Sequence, residues 1–164
     1  MEHGASTQLS GRELDQAFVA GMLPHHQAAI EMAKVEVGKG KSTQTIELAH
    51  SIIDDQTREQ AEMHQIAKDS GLATTDRPMN GPAGTLMGVP ISMDMSQAGH
   101  MVDMAGNTDR AFLQMMIAHH AMAVSMATEE RDRGGAGRLK QLSAAIVALQ
   151  SKEIGEMEVL LRAV

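Results

Sequence analysis

The sequence predicts an all-α fold, a bundle of four helices arranged as two hairpins, and three observations carry that prediction. The first is a tandem duplication. Phe18, Met22, His25, His26, Ala29, Met32 and Ala33 recur 94 residues later as Phe112, Met116, His119, His120, Ala123, Met126 and Ala127. Leu48, Ile52, Gln56, Glu59, Glu62 and Met63 return at the same offset as Leu142, Ile146, Gln150, Glu153, Glu156 and Met157. The second observation is that apolar residues in both units follow the three-four spacing of one helical face. The third is composition: two Phe, no Trp or Tyr and 15 Met leave a core of Leu, Ile, Val, Ala and Met, which favours helices over strands.

The elements follow in order. Ser10-Gly-Arg-Glu13 reads as a capping box opening the first helix. Its stripe is Leu14, Phe18, Met22, His25, Ala29 and Met32, and Gly38 and Gly40 end it. Pro24 lies inside, where it removes one backbone hydrogen bond and predicts a bend; the second unit has Ala118 instead. Ser42 or Thr43 caps the second helix, which runs through Leu48, Ile52, Asp55, Glu59, Met63 and Ile66 to a stop at Gly71. From Thr74 to Gly106 the periodicity fails and Pro, Gly and Met accumulate, predicting a long crossover of a kind that tends to be functional or disordered. Asn107 or Thr108 caps the third helix and Gly134-Gly135 ends it. The fourth carries Leu139, Leu142, Ile146, Leu149, Glu153, Met157 and Leu160. The expected organisation is a single domain over residues 1–164, with repeat one at 10–71, a Met-rich linker at 72–107 and repeat two at 108–164. Two hairpins joined by a long crossover give ferritin-like connectivity.

Several function classes are disfavoured by composition. A formal net charge of −7 without clustered Lys and Arg argues against nucleic acid as a partner. No apolar run approaches the roughly 20 residues that span a bilayer, and the first residues lack the basic and apolar regions of an export signal. Zero Cys removes disulfides, thiolate metal sites and cysteine nucleophiles together, so a soft-metal site has thioether and imidazole to draw on.

Those two ligand types meet in the Met-x-x-His-His signature. Met22 lies three and four residues before His25 and His26, and Met116 repeats this before His119 and His120, so the side chains share a helix face. Thioether selects copper(I), and imidazole suits copper in either oxidation state. Adjacent histidines point about 100 degrees apart on a helix. One of each pair is therefore expected to face inward and the other to lie near the surface. Glu59 and Glu153 fall on the apolar stripes, where a lone carboxylate is costly unless paired, so each is expected to meet a histidine or to join a metal site. Met93, Met95, His100, Met101 and Met104 form a weaker candidate site in the linker. The competing reading of the same residues is a helical interaction module whose His–Glu contacts are purely structural.

Enzymatic alternatives fit less well. A di-metal carboxylate centre wants paired Glu-x-x-His elements, but Glu47-Leu-Ala-His50 has a counterpart ending at Ala144. No His-Glu-x-x-His zinc motif is present, and a histidine phosphotransfer module needs one exposed His rather than duplicated pairs.

The segments 18–33 and 112–127, together with Gln-x2-Glu-x3-Met, resemble the family catalogued as domain of unknown function 305, which has a ferritin-like bundle and includes CopM-type copper-binding proteins. The resemblance covers most of residues 10–162. It implies a non-enzymatic, exported bacterial protein that binds copper for sequestration or resistance. On the motif positions it implies ligands among Met22, His25, His26, Met32, Met116, His119, His120 and Met126. Zinc remains compatible with the imidazoles. Ala118 departs from the family's usual Pro, and Ala28, with Met122 in the second copy, from its frequent Gly.

Overall fold

A computed structural model of the chain describes residues 8–74, 85–86, 89–90 and 98–164. Four long helices dominate it: α1 (Gly11–Lys39), α2 (Thr43–Ser70), α4 (Thr108–Arg133) and α5 (Gly137–Leu161). Between the hairpins lie a two-residue antiparallel pair, β1 (Thr85–Leu86) with β2 (Val89–Pro90), and a short helix, α3 (Ala98–Asp103). The architecture is the all-α bundle of two hairpins that the duplication predicts. The short helix is the addition: Ala98 and Val102 are buried and seat the end of the crossover against α1 and α4.

Local chemistry sets the helix ends. Ser42 accepts from the Thr45 amide and Asn107 from the Arg110 amide, so Ser42 and Asn107 are the caps. Gly71 ends α2 at φ 69°, a left-handed conformation that glycine adopts without strain. The capping box expected at Ser10 does not form. Ser10 is extended and Gly11 turns the chain into α1 at φ 58°, its backbone bridging to Gly134 at the end of α4. Close backbone packing there, rather than a serine hydroxyl, starts the helix. Pro24 is exposed, and α1 runs on through it to Lys39.

The core falls into two apolar clusters related by the duplication. One gathers Phe18, Met22, Met63, Ile66, Met126 and Ile146; the other gathers Phe112, Met116, Met157, Met32 and Ile52. Each joins the early part of one signature helix to the late part of the other, so α1 and α4 lie antiparallel. The α1–α2 and α4–α5 hairpins do the same, which makes the order up-down-down-up.

Two buried carboxyl pairs tie the repeats together at opposite ends of the α1–α4 contact. Asp109 accepts from the Lys41 and Ser42 amides that open α2, and the buried carboxyl group of Glu36 lies against it. At the other end Asp15 accepts from the Gly135 and Ala136 amides that open α5, and the buried carboxyl group of Glu130 lies against it. Two acids can share such a contact only if one keeps its proton. Burial, and then the neighbouring aspartate, push both Glu36 and Glu130 up to about 9. Each glutamate folds back over a glycine, Gly40 or Gly134, at a place where a Cβ would collide with its carboxyl group.

Candidate metal centre

Between the two apolar clusters lies a polar layer made by the doubled histidines and the residues facing them. His25, His26, His119 and His120 are all buried, none more than 5 % exposed. This corrects the expectation that one of each pair would lie near the surface. The angle of about 100 degrees between adjacent side chains is the reason. A helix in a four-helix bundle has two neighbours at roughly that angle, so both histidines point inward, each at a different helix.

His26 looks along its own hairpin. Its Nε2 lies 2.6 Å from Glu59 Oε2, with both side chains buried. His120 does the same in the second repeat, with Nε2 3.2 Å from Glu153 Oε1. The carboxylates that broke the apolar stripes of α2 and α5 thereby gain their partners, while Nδ1 of His26 and of His120 is left without one.

His25 and His119 look across the duplication at each other. Their rings stack with centroids 3.5 Å apart and planes inclined by 19°. None of the four nitrogens in this stack has a hydrogen-bond partner among the protein's groups, although each ring carries a donor and an acceptor. Burial, and then the charges of neighbouring histidines, lower His25 to about 3 and hold His119 well below 6.5. Both are neutral imidazoles at ordinary pH, the form that coordinates a metal.

Of the candidate thioethers, Met22 and Met116 sit one helical turn before the histidine pairs, and Met32 and Met126 nearly two turns after them. Met22 and Met126 belong to one apolar cluster, Met32 and Met116 to the other, and all four are buried. Each cluster holds a third methionine that the site reading passed over, Met63 in one and Met157 in the other. Gln56 and Gln150 are buried one turn from Glu59 and Glu153, with Gln56 Oε1 and both amide atoms of Gln150 unpartnered. All four had recurred at the same offset as the histidines, and that was the signal available. Among the described residues, no three His, Asp or Glu side chains converge on one point as a ready-made site. An ion here would draw on thioether beside imidazole.

Of the linker candidates, Met93 and Met95 lie outside the described residues. His100, Met101 and Met104 are exposed at α3, away from the core layer.

No curated protein matches the chain significantly. Solved structures do. CopM in its Cu(I)-bound form is 32% identical, with a TM-score of 0.71 over 91% of this chain and 96% of that one. The Cu(II)-bound form gives 32% and 0.74 over the same shares, and silver-bound and apo forms of CopM also match. A DUF305 protein of Streptomyces coelicolor, described as a candidate secreted protein, is 27% identical, with a TM-score of 0.77 over 92% of this chain and 91% of its own. The model of the family named Domain of unknown function (DUF305) matches residues 15–161, and with nearly the whole chain inside that match the protein belongs to the DUF305 family.

Proposed function

We propose that this protein is a non-enzymatic copper-binding protein that works outside the cytoplasm in copper sequestration or resistance. One observation carries the reading: His25 and His119 bring four buried ring nitrogens together without a single protein partner. Leaving buried donors and acceptors unsatisfied costs about 1 to 3 kcal/mol each, so such groups call for an explanation. A soft ion is a fitting one. The rings are neutral, thioethers from Met22 and Met116 lie one turn away and those of Met32 and Met126 nearly two, and no thiol competes.

The residues that would hold copper are His25 and His119 at the centre, His26 and His120 beside them, and the methionines of the two clusters. Glu59 and Glu153 orient His26 and His120 through Nε2, as carboxylates commonly orient metal-ligating histidines. Likeness to CopM, solved with Cu(I), Cu(II) and silver, supports the metal class. The candidate secreted relative supports the location, as does a ligand set that stays usable where thiols oxidise.

A second reading has its own observation. The 2.6 Å contact of His26 with Glu59 forms without metal, so the layer could serve only to fix helix register in an interaction module. Elemental analysis of protein purified without a nickel column, followed by copper competition against a chelator of known affinity, separates the two. The copper reading expects bound or bindable copper that is lost when all four histidines become Ala in a chain still helical by circular dichroism. Unchanged binding of both copper(I) and copper(II) by that variant would leave the structural reading standing.

A further inference from the structure

Helix α3 spends its residues in an unusual way. Its buried face is made of the small side chains Ala98 (3 % exposed) and Val102 (0 %), while the larger Met101 and Met104 stand in water at 58 % and 71 %. Among the described residues they are two of three large hydrophobic side chains so exposed, the third being Val159. Holding methionine in water forgoes the burial that normally places it in a core. His100, also exposed, lies beside both.

The three are adjacent in a defined way. His100 and Met104 are four residues apart, and Met101 and Met104 are three apart, so Met104, on the turn that continues the helix, is the neighbour of both and stands at the apex of a triangle. The core motifs Met22, His25, His26 and Met116, His119, His120 run in the opposite order, three then one, with one thioether and two imidazoles where this triangle has two thioethers and one imidazole. Its backbone is held from behind: Lys39 pairs with the Asp103 carboxylate and also donates to the Asp103 carbonyl, and the Met104 amide donates to the His100 carbonyl at 3.0 Å. Asp103, engaged by Lys39, is no competitor for the triangle's ligand.

We propose that His100, Met101 and Met104 form a solvent-facing site for a monovalent soft metal ion, copper(I) or silver(I). One imidazole and two thioethers make a three-ligand set matched to such an ion. The site needs no opening of the bundle, unlike the sealed histidine layer, and it stands whether or not that layer binds metal.

Silver(I) tests it without redox chemistry. In the full chain with methyl-labelled methionine, silver should move the Met101 and Met104 methyl resonances at the first additions. The variant carrying H100A, M101L and M104L, which keeps the apolar bulk of the helix, should bind one silver ion fewer per chain in competition with a chelator. The Met101 and Met104 shifts should persist when His25, His26, His119 and His120 are replaced. Methyl signals that stay still while silver binds elsewhere, or a triple variant with unchanged stoichiometry and affinity, would overturn the site. So would a chain that binds no silver, leaving the exposed methionines as a surface for another protein.

Discussion

His25 and His26 are neighbours in sequence and opposites in circumstance. His26 ends on a buried carboxylate 2.6 Å away, whereas His25 ends on the face of another imidazole with both ring nitrogens unpartnered. The second repeat divides its pair in the same way, with His120 on Glu153 and His119 in the stack. One residue of helical rotation therefore separates a ring with one nitrogen on a carboxylate and only Nδ1 unpartnered from a ring with neither nitrogen partnered. The partnered histidines account for how the layer is built, and the unpartnered ones for what it can take up.

The largest effect should come from breaking the partnered half. Replacing Glu59 with Ala leaves His26 buried without its acceptor, and removing one member of a buried pair costs about 3 to 5 kcal/mol. Replacement by Gln, which keeps a hydrogen-bonding group in place, should cost less. Urea unfolding of the three proteins measures both, and a Glu59→Ala variant as stable as the parent would show that the pair does not hold the layer.

The unpartnered half should respond in the opposite direction. Converting both His25 and His119 to Leu removes two groups that are buried without partners, so stability should hold or rise, by up to about 1 to 3 kcal/mol for each orphaned group. Copper affinity should fall in the same variant. Acid distinguishes it further. Because His25 is lowered from 6.5 to about 3 in the fold, its contribution to stability is complete above 6.5 and is lost as pH falls from 6.5 towards 3. The loss is about 1.4 kcal/mol per pH unit for each such imidazole. The double Leu variant should show a flatter acid limb than the parent, and an identical limb would mean that these rings are not what titrates.

The carboxyl pairs titrate with the other sign. Glu36 and Glu130 are raised from 4.5 to about 9, so their contribution is complete below 4.5, declines as pH rises and is gone above about 9. Glu36→Gln with Glu130→Gln keeps an N–H donor facing each aspartate without a proton to lose. Unfolding measured across that range should fall less steeply with pH in the double variant than in the parent. Placing Ala at Gly40 should displace Glu36 and cost about 1 to 3 kcal/mol, the usual penalty for overfilling a packed site.

How much of this was legible in the sequence follows from what kind of regularity carried it. The four long helices, the two hairpins and the inward carboxylates were visible because apolar periodicity and a strict repeat encode them directly. Burial of all four histidines was not, since spacing along one helix gives the angle between side chains but not how many neighbouring helices receive them. The carboxyl pairs escaped for a similar reason: Asp15 with Asp109 and Glu36 with Glu130 repeat at the same offset as the histidines, yet each pair joins residues from different repeats. Only the antiparallel meeting of α1 and α4 brings them together. The short helix α3 was hidden in a stretch read as irregular, because one turn and a half is too short for periodicity to register.

The smallest expected effect lies between the two repeats themselves. Glu59 and Glu153 are equally buried, at 4 % exposure each, so the desolvation of the two carboxylates is alike. Their bonds differ: 2.6 Å to His26 against 3.2 Å to His120. Short charge-assisted hydrogen bonds are the stronger ones, so Glu153→Ala should destabilise less than Glu59→Ala, by an amount within about 1 kcal/mol, the net worth of an ordinary hydrogen bond. The repeats also differ at the residue just before each histidine pair, Pro24 in α1 and Ala118 in α4. Pro24 lacks the amide that would bond to the Ala20 carbonyl, which frees the backbone one turn before His25 to adjust. If that freedom allows the shorter contact, Pro24→Ala should lengthen the His26–Glu59 bond and bring the two Glu→Ala losses together. Equal losses in the parent background would show instead that the difference in distance carries no energy and that the duplication is symmetric where stability is concerned.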